Sequence, residues 1–117
     1  MSNLLLIITN SPNSRWSMDL TDALKSLFQV KTITEMELEE AVSMPVCSLI
    51  VVDAAYVSDA ASLVSTLRGG NSEVPIVVVT ASPTWNQARE AFLAGASDYI
   101  YKTAEASKLT PVLERFV

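Results

Sequence analysis

The chain has 117 residues, of which half are apolar and 18% charged, and its eight basic and thirteen acidic residues give a net charge of −5. That length fits one domain, the apolar fraction excludes wholesale disorder, and the acidic balance disfavours nonspecific binding to nucleic acid or anionic lipid. With no histidine and a single cysteine, Cys47, neither an internal disulfide, a zinc cluster, nor Ser-His or Cys-His catalysis can be built.

Leu4–Ile8 is the longest unbroken aliphatic run near the start, far short of the ~20 apolar residues of a membrane helix. Met1-Ser2-Asn3 supplies no basic region for a secretory signal, so a soluble, cytoplasmic domain is expected. The run is continuous rather than alternating, as in a strand buried on both faces. Thr9 and Asn10 follow it, then the hydroxyl-rich segment Ser11-Pro12-Asn13-Ser14. Trp16, Leu20, Ala23, Leu24 and Leu27 share one face of a predicted helix, and Val30–Ile33 is a weaker strand. Thr34 and Glu37 have capping-box spacing ahead of a second helix carrying Leu38, Ala41 and Val42. Glu35, Glu37, Glu39 and Glu40 read as the solvated face of that segment.

Cys47 reads as a small core residue before Leu49–Val52, a second continuous block that ends on Asp53. Ala60, Val64 and Leu67 mark a third helix, closed by Gly69-Gly70-Asn71. Ile76–Val79 is the third block and ends on Thr80. Ser82 before Pro83 predicts a capping hydroxyl ahead of a first-turn proline. Trp85, Ala88 and Phe92 lie on one face of the helix that follows, and Gly95 ends it. Tyr99–Tyr101 is a weaker strand followed by Lys102. Ser107 caps a last helix with Leu109, Val112, Leu113 and Phe116, whose start Pro111 delays. Five strands alternating with five helices imply right-handed βαβ units and a doubly wound α/β sheet over residues 1–117.

Ligands of such sheets bind outside the carboxyl ends of the strands. Thr9, Asn10, Asp53, Thr80 and Lys102 each follow or end a block, so they converge on that edge. Asp53 adjoins sequence suited to burial and costs stability there unless it is paired or solvated.

Leu49–Asp53, Ile76–Ala81 and Ala94–Lys102 (Ala-Gly-Ala-Ser-Asp-Tyr-Ile-Tyr-Lys), in this order and at these separations, resemble the receiver domains of two-component response regulators. The resemblance spans essentially the whole chain. It implies a flavodoxin-like, five-stranded parallel sheet in the order 2-1-3-4-5. It also implies Asp53 as phosphoacceptor, Thr80 and Lys102 as the groups that bind the phosphoryl oxygens, and Tyr99 as the switch aromatic. A carboxylate can attack an activated phosphoryl group to form an acyl phosphate, and such transfer depends on positioning and charge neutralisation.

Receivers usually carry an acidic pair after the first strand that binds Mg²⁺ with the phosphoacceptor, and here that pair is replaced by Thr9-Asn10. Metal binding is therefore expected to be weak or absent, with Asn10, Asp53 and the backbone carbonyl of Ala55 as candidate ligands. Ala54–Ser58 also lacks the usual Pro-Gly turn, and Thr103 stands where proline commonly follows the lysine. The implied function is a phosphorelay receiver that takes phosphate on Asp53 and signals through a surface change, with no activity beyond self-phosphorylation and its reversal. The alternative is a phosphorylation-independent pseudo-receiver. Implied partners are a sensor histidine kinase or phosphotransfer protein, an effector domain or protein partner, and a second copy docking near Tyr99, Tyr101 and Trp85. Thr9-x-Ser11-x-x-Ser14 is also somewhat similar to the FMN-phosphate loop of flavodoxins. It lacks a glycine, however, and turn chemistry explains the same residues.

Overall fold

Successive side chains of a strand point to opposite faces of its sheet, so an aliphatic run with no polar interruption must be covered on both. A computed structural model, describing residues 4–37, 47–70, 73–102 and 105–116, has that arrangement. Strands β1 (Leu4–Ile8), β2 (Gln29–Ile33), β3 (Leu49–Asp53), β4 (Ile76–Thr80) and β5 (Asp98–Tyr101) form one parallel sheet. Their order is 2-1-3-4-5, as expected. Four α-helices are described: α1 (Arg15–Leu24), α2 (Ala60–Gly70), α3 (Trp85–Ala94) and α4 (Thr110–Glu114).

Alternation along the strands divides the core in two. Leu5, Ile7, Leu49, Val51, Val77 and Val79 pack with Leu20 and Leu24 of α1 and Leu113 of α4. Leu6, Ile8, Ile50, Val52, Ile76 and Val78 pack with Leu63, Val64 and Leu67 of α2 and Ala91 of α3. Each fully buried aliphatic side chain contributes about 1.5–3 kcal/mol, which makes β3 and β4, buried along their whole length, the centre of the fold.

Several local expectations hold. The Ser14 hydroxyl caps α1 by accepting from the Ser17 N–H. Gly95 closes α3 at φ +117°, and the Ala96 N–H reaches back to the Ala91 carbonyl. Pro111 sits in the first turn of α4, behind a 3₁₀ segment over Ala106–Leu109 that takes up the delay. Cys47 is half-buried and donates to the Leu49 carbonyl; burial, partly offset by backbone hydrogen bonds, pushes its thiol pKa up. The helix expected from Leu38 onward lies outside the described residues. Before Leu38 in the sequence, the Glu37 carboxylate accepts from the Thr34 N–H and hydroxyl around a 3₁₀ turn at Glu35–Glu37.

Several expectations are corrected. Ser107 does not cap the last helix: it lies inside the 3₁₀ segment Ala106–Leu109, and no side chain caps α4. Thr84, not Ser82, caps α3, accepting from the Gln87 N–H, while the Ser82 N–H donates to the Thr80 hydroxyl. Leu27 is exposed because α1 ends at Leu24 and Phe28 takes the buried place. The apolar stripe of α3 faces outward: Trp85 is 90% exposed and Phe92 is also exposed, whereas Ala91 is buried. Small Ala91 and Ala94 pack against the core cluster under α2, and the large aromatics stand clear of it. Among the described residues no helix is long and apolar enough to cross a membrane.

Candidate functional site

The alternation that divides the core also sorts the residues at the strand ends. Ile8 pairs with Val52 across β1 and β3, which sets Thr9 beside Asp53 on the α1–α4 side of the sheet. Lys102 has the parity of Ile100, which packs on that same side. Thr80 and Tyr99 have the opposite parity and line a cleft toward α2 and α3.

On the first side the three polar groups meet. Asp53 is completely buried, and the Lys102 ammonium donates to both of its oxygens, at 3.0 and 3.2 Å. The Lys102 side chain is only 9% exposed. The Thr9 hydroxyl, also buried, donates to Asp53 Oδ2 at 3.3 Å and accepts from the Ser11 N–H. Breaking a buried pair of this kind is costly because the remaining charge loses its partner. Above the pair, Lys102 Nζ stands 4.3 Å from the ring centroid of Trp16 and 4.9 Å from that of Tyr56. Both lie within cation–π range.

On the second side, Thr80, Tyr99, Ser58, Thr84, Gln87 and Glu90 help line a cleft of about 490 Å³. The Tyr99 ring packs against the core, and its hydroxyl donates to Gln87 Oε1 at 3.4 Å. The Thr80 hydroxyl accepts from Ser82, and the Thr80 carbonyl accepts from the Lys102 N–H at 2.6 Å. The expected trio of Asp53, Thr80 and Lys102 therefore gathers at one sheet edge, with Asp53 and Lys102 joined through their side chains.

Asn10, with parity opposite to Thr9, turns away from Asp53. Its amide donates to Glu35 Oε2 and its carbonyl accepts from the Glu35 N–H. Glu35 also accepts from the Ser58 N–H and hydroxyl, both at 2.8 Å, joining the loops after β1, β2 and β3. Burial raises the Glu35 pKa, but the hydrogen bonds from Ser58 and Asn10 outweigh it, and the net shift is downward. The stabilisation linked to that shift is present above the unfolded-state value and is lost as pH falls through the lowered one. Glu35 is thus a joint between loops as well as part of a solvated face.

Receivers commonly hold a divalent metal here, and the side chains present do not suit one. Among the described residues no three acidic, histidine or cysteine side chains gather. Asp53 has both oxygens engaged by Lys102, Thr9 offers a neutral hydroxyl, and the Asn10 amide is held by Glu35. A hard ion with strict octahedral demands is poorly served by that donor set.

The sequence reading did not give Trp16 or Tyr56 a place at the site. Strand parity carried a signal for Trp16, because Lys102 and the first helix fall on the same side of the sheet. Tyr56 depends on the 3₁₀ turn at Ala54–Tyr56, which no sequence period announces.

Neither a family model nor a curated protein matches the chain. Solved structures do. A response regulator from Thermotoga maritima is 20% identical with a TM-score of 0.81, covering 99% of this chain and 98% of that one. A response regulator from Burkholderia pseudomallei, with a phosphorylated aspartic acid, a calcium ion and citrate, is 22% identical at TM-score 0.80, covering 96% of this chain and 66% of that one. An atypical orphan response regulator described as having a phosphorylation-independent regulatory mechanism is 24% identical at TM-score 0.79, covering 97% and 93%. The fold is that of response-regulator receiver domains.

Proposed function

We propose that the chain is a receiver-type signalling module, without enzymatic turnover, that acts through protein contacts and does not depend on phosphorylation of Asp53. The observation that carries this reading is the closed Asp53–Lys102 pair, whose carboxylate accepts from Lys102 through both oxygens and from Thr9 through one. With Thr9-Asn10 in place of an acidic pair, little negative charge is left to recruit Mg²⁺, which is what neutralises phosphoryl oxygens in this type of transfer. The contact surface draws on Trp85, Phe92, Leu93 and Tyr101, large apolar side chains that stand exposed on α3 and β5. The similarity to an atypical orphan regulator described as phosphorylation-independent agrees with this reading.

The phosphorelay reading has its own support in the convergence of Asp53, Thr80 and Lys102. On that reading Asp53 takes phosphate from a sensor histidine kinase or phosphotransfer protein, Thr80 and Lys102 hold it, and Tyr99 reports it to an effector. Metal dependence separates the two. A metal present at a hundred times its dissociation constant stabilises the folded state by about 2.7 kcal/mol. The thermal midpoint in 10 mM Mg²⁺ is expected to match that in chelator within a degree. A rise of several degrees would overturn the phosphorylation-independent reading.

A further inference from the structure

A lysine ammonium has three donors and no acceptor, and Asp53 takes up two of the directions open to Lys102 Nζ. Two aromatic rings stand close to it: the Trp16 centroid at 4.3 Å, from the first turn of α1, and the Tyr56 centroid at 4.9 Å, from the turn after β3. Neither ring belongs to β5, which Lys102 directly follows, so two separate elements come over one cation. Tyr56 keeps 44% of its surface exposed, although burying it would remove apolar area from water. The Asn10 N–H donates to the Tyr56 carbonyl at 2.9 Å, which anchors that turn to the loop leading into α1.

We propose that Trp16 and Tyr56 form an aromatic lid that holds the Lys102 ammonium on Asp53 and closes the pocket to solvent reagents. This deepens the phosphorylation-independent reading and rests on it for its biological meaning. The cation satisfies a carboxylate beneath it and two π faces above it, so removing a ring loosens the lysine rather than merely uncovering it. Trp16 and Tyr56 are positioning residues, acting on Asp53 through Lys102.

The test is made on the full chain with an amine-acylating succinimidyl ester, the modification at Lys102 being read by peptide mass spectrometry. Lys25, whose side chain is 68% exposed, serves as the internal reference. Trp16→Ala and Tyr56→Ala are expected to raise Lys102 acylation relative to Lys25 by about tenfold, the scale of one lost cation–π contact. Trp16→Phe keeps a ring and is expected to restore most of the protection. In the unaltered chain the Lys102 ε-methylene protons should resonate upfield of Lys25 through ring currents, and the shift should shrink in each alanine variant. If both alanine variants keep the original acylation ratio and proton shifts, the lid is overturned. Because the upfield shift is read on the unaltered chain, its absence overturns the lid even where a variant fails to fold. Phosphate uptake or Mg²⁺ stabilisation by the unaltered chain would sink the phosphorylation-independent reading and leave these lysine measurements standing.

Discussion

Asp53 is a charge placed where its strand offers no water, and Lys102 is what makes that placement tolerable. Removing one partner of a buried pair costs about 3–5 kcal/mol, whereas removing both often costs far less. Lys102→Ala should therefore lower unfolding free energy by about 3–5 kcal/mol at neutral pH, and Asp53→Ala with Lys102→Ala should recover much of that loss. Denaturant unfolding of the two singles and the double gives the coupling directly. Strictly additive effects would mean that the ion pair contributes nothing beyond its separate side chains. At this scale the sequence was legible in part. The position of Asp53 after an aliphatic block pointed to the sheet edge, and Lys102 after the last strand pointed there too. The unlike fates of Thr9 and Asn10 follow from strand parity once the register is known. The attachment of Asn10 to Glu35 depends on two loops meeting, which local patterning does not encode.

Elements were easiest to read where one residue type had one physical explanation. Gly95 is such a case: its φ of +117° suits glycine, and an added Cβ would stand 3.0 Å from Arg68 Cγ and Nε. The Arg68 guanidinium meanwhile donates to the Gly95 carbonyl at 2.6 and 3.1 Å and to the Val74 carbonyl at 2.7 Å. That tie joins the ends of α2 and α3 to the approach to β4. Gly95→Ala should cost more than about 1 kcal/mol and lower the thermal midpoint. Gly69→Ala, in the last turn of α2 with no neighbouring atom within 4 Å of the new Cβ, should raise stability by about 0.5–1 kcal/mol. Equal midpoints for the two variants would contradict this account of the α3 terminus. The outward face of α3 illustrates the limit of periodicity, because apolar spacing alone cannot say which stripe meets the core. Ala91 and Ala94 offer little area to a periodicity argument, yet their small size lets them pack against the core cluster.

Across the whole molecule, three continuous aliphatic blocks and their connecting helices are enough to dictate a doubly wound sheet, because each block must be covered on both faces. The order of the strands came instead from the resemblance to receiver domains, and the observed sheet agrees with it. The same architecture brings the ends of β3 and β5 together with the start of α1, so a pocket exists whether or not it is used for phosphate. What the chain has placed in that pocket is a lysine drawn onto the carboxylate under two aromatic rings. The most direct measurement of this account is the intact mass of the chain after prolonged incubation with acetyl phosphate and saturating Mg²⁺. The mass is expected to remain that of the unmodified protein. Addition of one phosphoryl group, lost in Asp53→Asn, would show that the pocket opens to phosphate and would contradict the account.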